Sequence, residues 1–130
     1  MPAVRHGDSL TFYASHSQWT HPGRHAARFD KLPSDLPSLV RITQGLGVYD
    51  VVAAEFYGCR LSQARQNDIH LRAVAQRLDR IVALDPRPLS VGRSPNKRVA
   101  GRCHQFTLLL VAMLRSKGIP ARAMRVRRLL

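Results

Sequence analysis

The sequence predicts a mainly helical protein, and three features of its 130 residues lead to this prediction. In two stretches, residues 68–84 and about 103–117, apolar side chains recur at the three- and four-residue spacing of one helix face. Residues that start or stop helices, among them Pro37 and Gly118, stand at the ends of apolar stretches. The apolar content of 45% is enough for a core, so we expect a single compact domain.

The N-terminal part of the chain predicts one short helix. Residues 10–14 are compatible with a short strand or an extended arm, and nothing else is indicated before Thr20. Thr20 suits the cap of a helix and Pro22 its first turn, so we expect a helix from there through Phe29. The proline at position 33 ends it.

A second helix is expected directly afterwards. Either Ser34 or Asp35 caps it, and Pro37 lies in its first turn. Its apolar face consists of Leu36, Leu39, Val40, Thr43 and Leu46. We expect Gly45 and Gly47 to close it.

Residues 49–57 form a short apolar run, which is compatible with a buried helix or with a strand. Gly58 ends the run in either case, and we favour the helix. Cys59 follows in an expected turn, where the simplest interpretation is an inert thiol.

The amphipathic stretch 68–84 predicts the clearest helix. Its stripe is formed by Leu71, Val74, Ala75, Leu78, Ile81 and Val82. We expect Asn67 or Asp68 to cap it, and Asp68 to pair with Arg72 one turn later. Pro86 stops it, and the segment 85–99, with three prolines, one glycine and no helical period, predicts a loop.

Four histidines near the N-terminus draw attention as a possible metal site. Their positions, 6, 16, 21 and 25, match no ligand spacing, and no cysteine or carboxylate pair accompanies them. We therefore expect surface or capping histidines, no bound metal and no cofactor.

The net charge of +13 is unevenly distributed. Residues 86–130 contain eleven lysines and arginines and no acidic residue, an asymmetry that is typical of partners such as nucleic acids or acidic proteins. The only aromatic residue after Tyr57 is Phe106, so no platform for stacked bases is visible. A small basic helical protein that binds nucleic acid or an acidic partner therefore remains the second hypothesis.

The longest unbroken apolar run, Leu108 to Leu114, is far shorter than the ~20 residues that span a bilayer. The first ten residues lack an apolar signal core. We therefore expect a soluble, cytoplasmic protein without a membrane partner.

The helix at about 103–117 begins with a cysteine, Cys103, beside Arg102. Unpaired N–H groups and the helix dipole favour the thiolate there, so the position suits a nucleophile, although such a cysteine is more often structural. His104 is a poor general base for it, because consecutive helical residues point about 100° apart. At the other end, Gly118 and Pro120 stop the helix.

At these residues the sequence resembles the transglutaminase-like superfamily of papain-like cysteine enzymes. The match consists of Gly101-x-Cys103-x-x-Phe106, Leu109, Leu110, Ala112, Leu114-Arg115 and Gly118-Ile119-Pro120-Ala121-Arg122. The resemblance implies that Cys103 attacks an amide or other acyl carbon of a protein or peptide and forms a thioester. It also implies an α+β core, in which residues 89–130 supply the nucleophile helix and the first strand after it, while residues 1–88 form a helical leader.

The family's histidine and aspartate partners follow the cysteine helix, and here the sequence departs from the family. After Cys103 the chain contains no histidine except His104, and no Asp, Glu or Asn. We therefore expect a truncated core that is inactive as this chain. Because an uncovered apolar helix is costly, we expect either the leader helices to cover it or the chain to self-associate through it.

Overall fold

A computed structural model describes residues 6–50, 53, 58 and 60–123, and this part of the chain is mainly helical, as predicted. Its helices are α1 (His6–Tyr13), α2 (Ala26–Asp30), α3 (Leu36–Leu46), α4 (Gln63–Gln66), α5 (Val74–Leu84) and α6 (Cys103–Ser116). Two strands, β1 (Gly47–Tyr49) and β2 (Val99–Gly101), and three 3-10 turns, Gly23–His25, Asn67–His70 and Pro95–Lys97, complete it. Within these residues no helix is both long enough and apolar enough to cross a bilayer.

Two predicted helix boundaries, the cap at the start of α3 and the glycine stop at the end of α6, agree with the sequence. The carboxylate of Asp35 accepts the N–H of Ser38 at 3.0 Å and so caps α3. Gly118 adopts a left-handed φ of +74° after α6. The N–H groups of Gly118 and Ile119 then donate to the carbonyls of Arg115 and Leu114, both at 3.0 Å, which closes the helix in a Schellman motif.

The strand or arm expected at residues 10–14 and two expected helix starts were wrong. Thr20 caps no helix, because a 3-10 turn begins only at Gly23 and α2 only at Ala26. Residues 10–14 belong largely to α1 rather than to a strand or an arm. The helix expected from residue 68 begins only at Val74, because a 3-10 turn and an extended Leu71 interrupt the apolar stripe. Asp68 accordingly neither caps this helix nor pairs with Arg72: its carboxylate accepts a hydrogen bond from Arg80 at 3.1 Å.

The strands form a two-stranded parallel sheet that the sequence did not reveal, with Val48 opposite Ala100 and Tyr49 opposite Gly101. Gly45 does not stop α3, which runs to Leu46 before the chain enters β1 at Gly47. Of the ambiguous run, Tyr49 is therefore in a strand and Ala53 is helical, whereas 51, 52 and 54–57 lie outside the described residues, as does Cys59.

The strand expected after the cysteine helix is absent from residues 119–123, and residues 124–130 are not described. The N–H of Ala121 donates instead to the carbonyl of Tyr13 at the end of α1, at 3.0 Å.

The leader helices cover the cysteine helix. Leu109, Ala112 and Met113 of α6 are at most 4% exposed. They belong to one apolar core with Phe29, Leu32, Leu39, Leu46, Val74, Leu78, Ile81, Leu89 and Val99. Residues before and after position 88 therefore share a single core. Full burial of each large side chain contributes roughly 1.5–3 kcal/mol. Because the leader residues already supply this burial, the face needs no second copy to cover it.

Two buried arginines hold the irregular segments in place. The guanidinium of Arg77, 3% exposed, donates to the carbonyls of Asp68 at 3.1 Å and Ala100 at 3.0 Å, and so ties the 3-10 turn before α5 to β2. Burial lowers the pKa of Arg77 to about 10, with Asp68 opposing the shift. Arg93, 2% exposed, donates to the carbonyls of Asp85, Arg87, Pro88, Leu89 and Val91. The first half of the predicted loop 85–99 is thus held by hydrogen bonds that one side chain donates to its carbonyls.

Candidate functional site

Cys103 lies where two structural features meet. It is the first residue of α6, and it follows β2 after a single intervening residue, Arg102, so it sits at the carboxyl edge of the parallel strand pair. In sheets with parallel strands, ligands bind at this edge. The thiol is free and exposed, as a nucleophile requires.

The first N–H groups of α6 are available beside this thiol. The N–H of Gln105 and of Phe106 donate to the carbonyl of Arg102, at 2.9 and 3.1 Å. The N–H of Cys103 and of His104 have no acceptor within the part of the chain that the structure describes. Such groups are the usual donors to a bound anion or to an oxyanion at a helix N-terminus.

The side chain of Gln105 holds the first turn of α6 in place through hydrogen bonds to the backbone. Its side-chain oxygen accepts the N–H of Arg102 at 2.8 Å, and its side-chain nitrogen donates to the carbonyls of Ile69 at 2.7 Å and Leu71 at 3.3 Å. Gln105 is 7% exposed, and no expectation from the sequence concerned it. Its position two residues after the cysteine, in the first turn, was the available signal.

Steric crowding explains why the first residue of the Gly-x-Cys motif is a glycine. A Cβ at Gly101 would stand 2.5 Å from Nη2 of Arg77 and 3.2 Å from Oε1 of Gln105. Both atoms are held by hydrogen bonds to the backbone, so neither side chain is free to move aside. Gly101 therefore allows the two polar anchors of the helix start to lie against the strand.

A shallow cavity of about 370 Å³ opens beside the cysteine. Its wall includes Tyr49 and Phe106, whose rings stack with centroids 6.4 Å apart, together with Val40, Thr43, Gln44, Thr107 and Leu110. No histidine and no carboxylate is among the described residues that line it. Among the described lining residues, none is therefore a histidine or carboxylate that could act as the acid–base partner of a cysteine nucleophile.

The neighbours of Cys103 in the sequence point elsewhere. His104 lines a separate, larger cavity on another side of α6, which agrees with its predicted unsuitability as a base. The guanidinium of Arg102 binds the carboxylate of Asp50 through two hydrogen bonds of 3.1 and 3.2 Å. This ion pair raises the pKa of Arg102, and it balances the positive charge that the sequence places next to the thiol.

His16 and His25, two of the N-terminal histidines, bind protein groups through their rings. The ring of His25, buried, bonds Asp79 at 2.7 Å, and this bond, together with Arg24, lowers the pKa of Asp79. The ring of His16 bonds the hydroxyls of Thr20 at 3.1 Å and Ser116 at 2.9 Å. Burial, with the nearby His21 and Arg115, lowers the pKa of His16. Among the described residues no group of three or more His, Cys, Asp or Glu is placed to hold a metal ion.

Several arginines of the basic segment are engaged within the protein. Arg87 binds the carboxylate of Asp85 at 2.6 Å, and Arg115 donates to the carbonyl of Ala121 at 2.9 Å. Arg93 binds the carbonyls of its own loop, and Arg102 binds Asp50. These contacts explain part of the segment's arginine content without a partner, and binding of a nucleic acid stays a prediction.

Comparison of the chain with protein-family models, with curated proteins and with solved structures found no match. The function of the chain is therefore inferred from the geometry and chemistry of the site.

Proposed function

We propose that residues 89–130 are part of a transglutaminase-like core and that Cys103 is its acyl-accepting nucleophile. The observation that carries the proposal is the exposed thiol of Cys103 at the start of a long apolar helix, beside two N–H groups without described acceptors. The motif residues Gly101 and Gly118 support it, because each occupies a position that requires glycine. The cavity next to the thiol leaves room for an acyl group.

The chemistry begins with attack of the thiolate on the carbonyl carbon of an amide or an activated ester. A carbon–sulfur bond forms, the electron pair of the carbonyl moves to its oxygen, and the N–H groups of Cys103 and His104 stabilise this oxyanion. When the carbonyl re-forms, the bond to the leaving group breaks, and an amine or alcohol departs with a proton from solvent. The product is a thioester on Cys103, which an amine or water then resolves.

We expect the chain to be slow at both half-reactions. A positioned general base contributes typically about 10²–10⁴-fold, and neither the described residues of the cavity wall nor the sequence after His104 provide a histidine or carboxylate for Cys103. Unactivated amides should therefore not react, whereas an activated ester, whose leaving group needs no proton, should acylate the thiol.

The test compares the two cysteines of the chain. The Cys59→Ser variant leaves Cys103 as the only thiol, and the Cys103→Ser variant leaves Cys59. We expect iodoacetamide to modify Cys103 faster than Cys59 in the native proteins at one fixed pH, and the difference in rate to vanish in denaturing urea. Equal rates in the native state would mean that the helix N-terminus does not activate Cys103.

A second measurement addresses acyl transfer itself. With 4-nitrophenyl acetate, the Cys59→Ser variant should release one equivalent of nitrophenolate per chain and carry the acetyl group on Cys103, as located by peptide mass spectrometry. Cys103→Ser should give no such stoichiometric release. Acetylation spread over lysines, with Cys103 unmodified, would contradict the nucleophile assignment.

A further inference from the structure

A second cavity among the described residues, of about 620 Å³, lies on a different side of α6 from Cys103. Its wall combines apolar groups, among them Trp19, Ile69 and Leu108, with the basic side chains of Arg72 and Arg102. A volume of this size is within the range of small-molecule sites, about 300–1,000 Å³. The cavity is thus large enough for a metabolite-sized molecule.

The charge of the cavity is of one sign. Arg72, Arg102, Arg115 and His104 line it, and no Asp or Glu is among its described lining residues. Arg102 is engaged with Asp50, and Arg115 with the carbonyl of Ala121. Arg72 and His104 are exposed, and neither has a hydrogen bond or ion pair within the described part of the chain. The cavity therefore offers a free guanidinium to an anion.

Apolar side chains also line the cavity, and they include the only tryptophan of the sequence. Trp19 is 47% exposed, which is unusual for so large an apolar side chain, and Leu108 and Val111 extend the same surface along α6. A ligand that covered Trp19 would remove this apolar area from water. An anion without an apolar part would leave it uncovered.

We propose that this cavity binds a small carboxylate with an apolar body, with the carboxylate on Arg72 and the apolar body against Trp19 and Leu108. The planar guanidinium of arginine matches a carboxylate through two parallel hydrogen bonds. The absence of acidic groups from the described wall removes the repulsion that would otherwise oppose such a ligand. This site is separate from Cys103 and does not depend on the acyl-transfer proposal.

The experiment uses the full chain and the emission of Trp19, with sodium octanoate as the probe and octanamide as its neutral counterpart. Octanoate should change the emission saturably, and octanamide should bind at least about tenfold more weakly, because it lacks the charge that Arg72 recognises. The Arg72→Gln variant should raise the half-saturating octanoate concentration about tenfold. Arg72 is exposed, so far-UV circular dichroism should show an unchanged fold.

Two matched variants complete the design. Arg41→Gln removes an exposed arginine of α3 that is not part of this cavity, and it should leave octanoate binding unchanged. Cys103→Ser should also leave it unchanged, which separates this site from the nucleophile. Equal affinity for octanoate and octanamide, or an equal loss in the Arg72 and Arg41 variants, would overturn the proposal.

Discussion

Replacing Gly101 with alanine tests whether polar side chains position the start of the cysteine helix. The added Cβ would stand 2.5 Å from Nη2 of Arg77, a separation that real Cβ contacts do not reach. Arg77 cannot retreat without giving up its hydrogen bond to the carbonyl of Ala100 at 3.0 Å. The same Cβ also presses on Oε1 of Gln105, which accepts the N–H of Arg102 at 2.8 Å.

Two opposing effects set the expected magnitude. Overpacking a filled site destabilises by about 1–3 kcal/mol, while replacing glycine at a compatible backbone conformation stabilises by about 0.4–1 kcal/mol. We expect Gly101→Ala to lower the free energy of unfolding by about 1–2 kcal/mol, which for a domain of this length lowers Tm by about 4–7 °C.

Gly92→Ala is the matched control, because a Cβ there meets no atom within 4 Å and its φ is not in the left-handed region. It should be neutral or stabilising by up to about 1 kcal/mol. Urea unfolding followed by circular dichroism measures both variants, and a double-mutant cycle with Arg77→Met isolates the contact. If Gly101→Ala is as stable as Gly92→Ala, or if its cost is unchanged when Arg77 is replaced, the steric role of Gly101 is refuted.

Three further predictions concern the rest of the fold. Arg93→Met should destabilise by about 2–4 kcal/mol in urea unfolding, because the carbonyls that it binds lose a charged donor; stability within about 0.5 kcal/mol of the parent, the usual range for a surface change, would contradict this role. Met113→Ala should destabilise by about 2–5 kcal/mol, since Met113 is fully buried, whereas Leu36→Ala, at a side chain 52% exposed, should change little. The pKa of His16 is lowered in the folded protein, so the unfolded chain binds its proton first, and stability should fall as the pH drops through about 6.5. His16→Gln should flatten this dependence between about pH 7.5 and 5.5, and an unchanged slope would assign it to another group.

The sequence predicted those features that depend on neighbouring residues. The cap at Asp35 and the stop at Gly118 are local, because each is decided by side chains and backbone conformations within one turn. The start of the cysteine helix at Cys103, which the sequence also predicted, is local in the same way.

What the sequence did not reveal depends on residues far apart in the chain. The pairing of β1 with β2 joins segments about fifty residues apart, each only three residues long, so neither shows the alternation that predicts a strand. The roles of Arg77 and Gln105 depend on carbonyl groups that the fold brings to them. From the sequence alone, a polar residue inside an amphipathic pattern is expected to be exposed to solvent, because the carbonyls that it binds come from distant parts of the chain.

The two halves of the cysteine helix are therefore held by different forces. Leu109 and Met113 anchor its C-terminal half in the apolar core, while Gln105 and the Arg102–Asp50 ion pair hold its first turn. With this polar anchor, the thiol of Cys103 stays exposed and the N–H groups of Cys103 and His104 have no acceptor among the described residues. A reactive position at the first turn is thus compatible with a helix whose C-terminal half belongs to the core.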